Sequence, residues 1–249
     1  MVKKVFLYAG LVAAALCCCA PLGFAVERVV PRPILKPASI GAAPIVEPTV
    51  LATAGWSKAL VAAARQDCQS RLGNAKLDFE FMPPFGEAAG CGAASALLVR
   101  GVAGVAIEPP AEMTCDMAEA LYAWIATSVQ PAAKLSLKKT LVTINNASAY
   151  VCRRRNNSKT GKLSEHAKAN ALDIATLGFE DGSRTSIKGD WSGVKQLIGA
   201  SAQGEFLRRI RRDACIRFTT VLGPGSDPYH GDHFHVDVAR RRNGFRVCS

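Results

Sequence analysis

The chain has 249 residues and a formal charge of +11, enough for one full-sized domain with appendages. A basic surface favours anionic partners, whether nucleic acid, anionic lipid or acidic peptide, and by itself separates none of them. The cysteines include no Cys-x-x-Cys pair, which argues against a thiolate zinc site.

Residues 1–25 read as a cleaved export signal. Lys3 and Lys4 form a short basic start, Val5 to Ala20 is almost entirely apolar, and Gly23-Phe24-Ala25 offers small residues where a signal peptidase reads. Pro21 interrupts the run before the roughly 20 apolar residues a spanning helix needs. A retained anchor remains the alternative, and Cys17-Cys18-Cys19 raises lipidation as a third, although no small residue precedes Cys17. The membrane enters only through this segment, so the expected location is periplasmic or secreted. Residues 26–55 follow, with Pro31, Pro33, Pro37, Pro44 and Pro48 spread among alanines and valines. They read as an extended tether, or as a leader without a role.

The folded domain is expected over residues 56–249. Trp56 to Leu72 carries Leu60, Ala63, Ala64 and Cys68 at helical spacing, and Asp116 to Ser128 carries Met117, Ala120, Leu121, Trp124 and Ile125. Trp124 on that stripe reads as core. A third helix is predicted from Gly204 to Asp213, with Phe206, Leu207 and Ile210 inward and Arg208, Arg209, Arg211 and Arg212 on a solvated face. Strands are predicted at Thr140 to Ile144, Ala171 to Leu177, Ile216 to Leu222 and His233 to Val238, separated by turn signals such as Gly223-Pro224-Gly225 and Asp227-Pro228. Helices followed by a strand-rich half predict an α+β domain with an antiparallel sheet.

Six cysteines lie beyond the signal: Cys68, Cys91, Cys115, Cys152, Cys215 and Cys248. An even, scattered set in an exported chain predicts three disulfides, each contributing roughly 2–4 kcal/mol. Buried free thiols are the plainer alternative, and the spacing does not choose among the connectivities.

The four histidines are the most informative residues. His166 stands alone, while His230, His233 and His235 fall together. On a strand, His233 and His235 project to one side and Phe234 and Val236 to the other. Gly231 lets the chain turn His230 toward the same space. Imidazole is a good zinc ligand, and a catalytic zinc usually has three protein ligands and an open position. The three clustered histidines could fill that set, but His166 and Asp173 offer a mixed one. An acid between Leu172 and Ile174 on an inner strand is costly unless paired or bound to metal.

Ser164-x-His166, with Asp173 seven residues after the histidine, resembles the first motif of D-Ala-D-Ala peptidases. His230-x-x-His233-x-His235 resembles the second motif of zinc D-Ala-D-Ala carboxypeptidases and penicillin-insensitive murein endopeptidases, both of the lysostaphin/D-Ala-D-Ala-peptidase (LAS) superfamily. Over roughly Trp56 to Ser249 the chain is similar to the bacterial extensin-like C-terminal domain family, through Tyr150 to Arg153, Leu163 to Ala175, Asp190-Trp191 and Val221 to Asp237.

The resemblance implies an LAS-type antiparallel core with flanking helices, and Zn2+ held by His166, Asp173 and His235. It implies His233 and His230 as unligated catalytic imidazoles and Ser164 as a residue beside the substrate. The preference for His235 over His233 as ligand comes from the resemblance alone, since strand geometry treats the two alike. One branch places a glutamate where this chain has His230, so a glutamate base does not carry over; Ala169 replaces the glycine usual in the first motif.

In this scheme zinc acidifies water and stabilises the oxyanion, while His233 moves the proton to the leaving amine. Asp237 either orients a zinc ligand or is solvent-exposed. Arg153 and Arg155 either anchor substrate carboxylates or belong to a solubilising loop, and Asp190-Trp191 either lines a cleft or anchors a loop. The expected activity is zinc-dependent hydrolysis of peptidoglycan peptide stems, as an endopeptidase on cross-links or a D,D-carboxypeptidase. A non-catalytic wall-binding domain of the same fold is the alternative. Nucleic acid is not an expected partner, for want of a recognisable module, and no feature sets an oligomeric state.

Overall fold

Ser57 opens the first helix, α1 (Lys58–Leu72), by accepting a hydrogen bond from the Leu60 N–H, and Gly73 closes it at φ 40°. These residues belong to a computed structural model that describes residues 55–86, 90–191 and 201–249. The expected export signal and the expected tether, up to residue 54, lie outside the described residues. α1 reaches the core only through its C-terminal part, where Cys68 and Leu72 are buried. Leu60, expected inward, is 47 % exposed.

Five strands that the sequence reading passed over follow α1: β1 (Leu77–Phe81), β2 (Phe85–Gly86), β3 (Gly92–Ala93), β4 (Ala96–Val102) and β5 (Val105–Thr114). β5 was hidden because it contains Pro109-Pro110, which reads as a strand breaker. Both prolines fall where β5 has no partner, between the pairs Gly101↔Ala106 and Val99↔Ala111 on one side and beyond Glu108↔Asn145 on the other. Ala103 and Gly104, both at positive φ, turn β4 back into β5.

Thr114 caps α2 (Cys115–Trp124), which continues through wide turns at Ile125–Val129, the short α3 (Gln130–Ala132) and further wide turns at Ala133–Leu137. This rod is longer than the predicted helix. Its buried face is Met117, Ala118, Leu121, Trp124, Ile125, Val129, Ala132 and Ala133, with Ala120 only partly covered. Trp124 is core, as expected: its ring meets Phe218 edge-on and its indole N–H donates to the Ile210 carbonyl at 2.9 Å.

The remaining elements are β6 (Leu141–Ser148), β7 (Ala171–Phe179), β8 (Arg184–Ser186), α4 (Ile187–Asp190), α5 (Ala202–Ala214), β9 (Thr220–Leu222), β10 (Phe234–Asp237) and β11 (Val247–Cys248). α5 buries Phe206, Leu207, Ile210 and Ala214, matching the predicted inward face. Arg211 departs from the solvated face: its guanidinium lies over the Trp191 ring, 5.1 Å from the centroid.

One sheet runs in the order β1-β4-β5-β6-β7-β10-β9-β11, with β8 paired to β7. Two expectations fail here. The sheet draws on both halves of the chain, and it is mixed, because β5–β6 and β9–β11 are parallel. The α2–α3 rod supplies the long connection that parallel β5–β6 pairing requires. Three disulfides use all six expected cysteines: Cys68–Cys115 ties α1 to α2, Cys91–Cys152 ties the β3 region to the chain after β6, and Cys215–Cys248 ties the end of α5 to β11.

Candidate metal centre

β7 and β10 are the strands that build the site. In their antiparallel register His235 faces Asp173 and Phe234 faces Ile174. Alternation along each strand sorts the side chains. Leu172, Ile174, Phe234 and Val236 enter the hydrophobic core, while Asp173, His235 and Asp237 stand on the other face. β9 adds Thr220 opposite Asp237 and Leu222 opposite His235.

His166 arrives from a loop. Ser164 caps a single 3-10 turn, Glu165–Lys168, and Ala169 ends it at φ 54°. Glu165 is buried and pins this turn, accepting from Lys168 Nζ at 2.9 Å and Asn170 Nδ2 at 3.1 Å. His166 Nδ1 lies 2.5 Å from the Ala149 carbonyl oxygen. A carbonyl can only accept, so Nδ1 carries the proton and Nε2 turns its lone pair inward.

That Nε2 is 3.1 Å from Asp173 Oδ1 and 3.2 Å from His235 Nδ1, and His235 Nδ1 is 2.8 Å from the same oxygen. All three residues are buried. On its outer edge His235 Nε2 lies 3.2 Å from Asp237 Oδ2. Asp237, only 3 % exposed, also accepts from Thr220 Oγ1 at 2.6 Å and the Ala239 N–H at 3.0 Å. Of the two readings of Asp237, the structure selects the residue that orients His235.

The charges follow from this packing. Burial disfavours the His235 imidazolium, but hydrogen bonds to Asp173 and Asp237 outweigh it and push the group up to about 9. Burial also disfavours the Asp173 carboxylate, yet the His166 and His235 imidazoles packed against it hold it well below the usual carboxylate range. Asp237, opposed by burial and favoured by His235 and Thr220, is lowered to about 2.

The donor set fits a divalent transition metal. The ligand atoms of His166, Asp173 and His235 lie within 4.8 Å of one another. Tetrahedral zinc with bonds near 2.0–2.1 Å needs its ligands about 3.3 Å apart, close to the 2.8–3.2 Å seen here. Each imidazole also has its second nitrogen held by an acceptor, the arrangement that orients metal-binding histidines.

The cluster opens onto a cavity of about 500 Å³ lined also by His230, His233, Ser164, Arg153 and Arg155. All four histidines, Asp173, Asp237, Ser164, Arg153 and Arg155 therefore border one space. His233 lies just before β10 rather than in it, but its Nε2 still comes within 3.7 Å of Asp173 Oδ1. Its Nδ1 is held by Asp232 at 2.8 Å. His230 Nδ1 lies 2.7 and 2.8 Å from the two Asp227 oxygens. Its ring centre is 5.2 Å from that of His233 and 5.6 Å from that of His235. Asp190 and Trp191 lie off this cavity and act as anchors: Asp190 accepts the Ser186 N–H, and Trp191 packs edge-on against Phe234.

Sequence reasoning missed Asp227, Asp232, Thr220, Glu165 and Arg241. Asp227-Pro228 was read only as a turn. The Asp227 side chain does accept the Tyr229 N–H at 2.8 Å, as turn residues do, while also holding His230. The acid three residues before a clustered histidine was the available signal.

A protein-family model described as "Extensin-like protein C-terminus" matches residues 66–249. Neither the curated proteins nor the solved structures gave a match. The match begins within α1 and spans the later helices, the sheet and every residue of the candidate metal centre, and the chain belongs to the extensin-like C-terminal family.

Proposed function

We propose that this chain is an exported zinc-dependent peptidase that hydrolyses peptide cross-links of peptidoglycan. The observation that carries this reading is the convergence of His166, Asp173 and His235, with their open side facing two further imidazoles in the same cavity. A structural zinc site is closed by four protein ligands, whereas three ligands and an open side are the pattern of a catalytic one. The three disulfides fit an oxidising compartment and so support export. We read the sheet around β7 and β10 as an LAS-type core, on the strength of the two motifs.

Zinc held by His166, Asp173 and His235 would supply Lewis acidity for acidifying water and polarising a carbonyl oxygen. The chain's own residues move the protons. Asp232 fixes the Nδ1–H of His233, so the basic Nε2 faces the ligand cluster. There it can take a proton from the attacking water and return it to the leaving amine. Asp227 fixes His230 in the same tautomer, leaving its Nε2 an acceptor while the ring is neutral and a donor once it is protonated. Ser164, Arg153 and Arg155 lie where the peptide must rest.

The test is direct. Purified mature protein is assayed for zinc and incubated with muropeptide dimers, beside His233→Ala and Asp173→Ala variants. Cleavage by wild type alone supports the reading, and mass spectrometry of the products separates cross-link cleavage from terminal D-Ala release. Intact dimers in every sample would overturn it for this substrate.

A further inference from the structure

The acids and bases lining the cavity are unequally satisfied. Its four carboxylates, Glu165, Asp173, Asp227 and Asp237, each accept hydrogen bonds from side chains nearby. Its three guanidinium groups, Arg153, Arg155 and Arg241, have no carboxylate within ion-pair distance among the described residues. The unmet charge in this space is positive, so it favours an anionic ligand.

The three arginines differ in how they are held. Arg155 is exposed and its side chain makes no hydrogen bond among the described residues. Arg153 reaches only its neighbour's carbonyl, at 3.5 Å. Arg241 is held in place: Nη1 donates to the Thr219 carbonyl at 2.8 Å and Nη2 to Thr220 Oγ1 at 2.5 Å. Thr220 Oγ1 in turn donates to Asp237, which holds His235. A guanidinium has five N–H donors, so donors remain for the cavity after these two bonds. Fixing the side chain beforehand removes the entropy a free arginine loses on binding.

We infer that Arg241 is the pre-positioned anchor for a carboxylate of the ligand, and that the cavity takes peptides bearing free carboxylates in preference to their amides. This rests on the reading of the cavity as a peptide site, although it does not require turnover. The hydrogen-bonded path Arg241–Thr220–Asp237–His235 sets the distance between that carboxylate and the metal centre. The anchored end of a ligand is therefore held at one place relative to the reacting bond.

The experiment uses the zinc-loaded mature protein and two fluorescent tetrapeptides of one sequence, one with free C-terminal and side-chain carboxylates and the other fully amidated. Binding is followed by anisotropy for wild type, Arg241→Lys and Arg241→Ala, with zinc content and melting recorded for each. Wild type is expected to bind the free acid about 10- to 100-fold tighter, the range of a charged hydrogen-bonded pair. Arg241→Ala should lose that preference and Arg241→Lys keep only part of it, since lysine lacks the fork. Equal binding of acid and amide by wild type would overturn the inference, as would an undiminished preference in folded, zinc-bearing Arg241→Ala. Should Arg241→Ala fail to fold, wild type and Arg241→Lys decide: a preference equal in the two excludes the fork. Arg241-dependent binding of the acid without hydrolysis of any peptide would sink the peptidase reading and leave this one standing.

Discussion

Asp173 and His235 stand directly opposite each other across the antiparallel β7–β10 pair, 2.8 Å apart from Oδ1 to Nδ1. A slip of one residue in that register would send either side chain into the core and bring Leu172 or Phe234 to the metal centre. The packing of Leu172, Ile174, Phe234 and Val236 on the far face thus holds two candidate ligands in place at once. Breaking that packing and deleting a ligand should therefore be distinguishable experimentally.

Zinc affinity should depend on Asp237 without requiring it. Asp237→Asn keeps the size of the side chain but weakens its hold on His235, and affinity should fall about 10- to 100-fold. Asp173→Ala, which removes a ligand, should leave the protein near zinc-free. Competition against a chromophoric chelator measures both, with circular dichroism showing that the fold persists.

The metal-free protein should lose stability in alkali over a defined range. His235 is raised from about 6.5 to about 9 in the fold. Its contribution is thus complete below about 6.5 and lost as pH rises through about 9. Asp237 runs the other way: lowered from 3.8 to about 2, it contributes above about 4 and stops as pH falls through about 2. Thermal melts of chelator-treated protein should decline from pH 7 to pH 9.5, and His235→Asn should flatten that decline. A flat wild-type profile over this range would contradict the assignment.

Loss of a proton-moving imidazole should separate activity from metal content. His233→Ala should reduce kcat about 10²- to 10⁴-fold with zinc still stoichiometric. Asp227→Asn, which frees His230 to rotate, should lower kcat by a smaller factor than His230→Ala, and Asp227→Glu should recover part of it. Zinc analysis beside steady-state kinetics makes the comparison.

Phe234→Ala should cost about 3–5 kcal/mol in urea unfolding, as removal of a buried aromatic does. The ring is 1 % exposed, meets Trp191 edge-on at 5.6 Å, and lies so close to Gly223 that a Cβ there would sit 2.8 Å from it. Gly223→Ala should accordingly destabilise through the same ring. At temperatures where Phe234→Ala remains folded it should still bind zinc, unlike Asp173→Ala.

Much of the site was legible in the chain because its chemistry depends on residue type and short spacing. Few histidines, three of them together, and an acid flanked by Leu172 and Ile174 marked the candidate ligands and their neighbours, while the choice of His235 among them came from the resemblance alone. Alternation placed Phe234 and Val236 in the core, and helical spacing did the same for Trp124 and Phe206. The six cysteines were equally plain as a set.

What needed the tertiary structure were relationships between distant segments. The pairing Cys68–Cys115, Cys91–Cys152 and Cys215–Cys248 depends on which ends meet in space. β5 became a strand despite Pro109-Pro110 because the ladder leaves those positions unpaired. His233 and His235 are alike in sequence; only the register with Asp173 and the Asp237–Thr220 bond make His235 the better-buried of the two. Arg241 showed nothing by spacing, since its place in the cavity comes from bonds to Thr219 and Thr220 on β9 and the residue before it. Residue chemistry alone determined which groups are on offer for a site. Strand register and burial, which act between residues far apart in the chain, decided which of them meet.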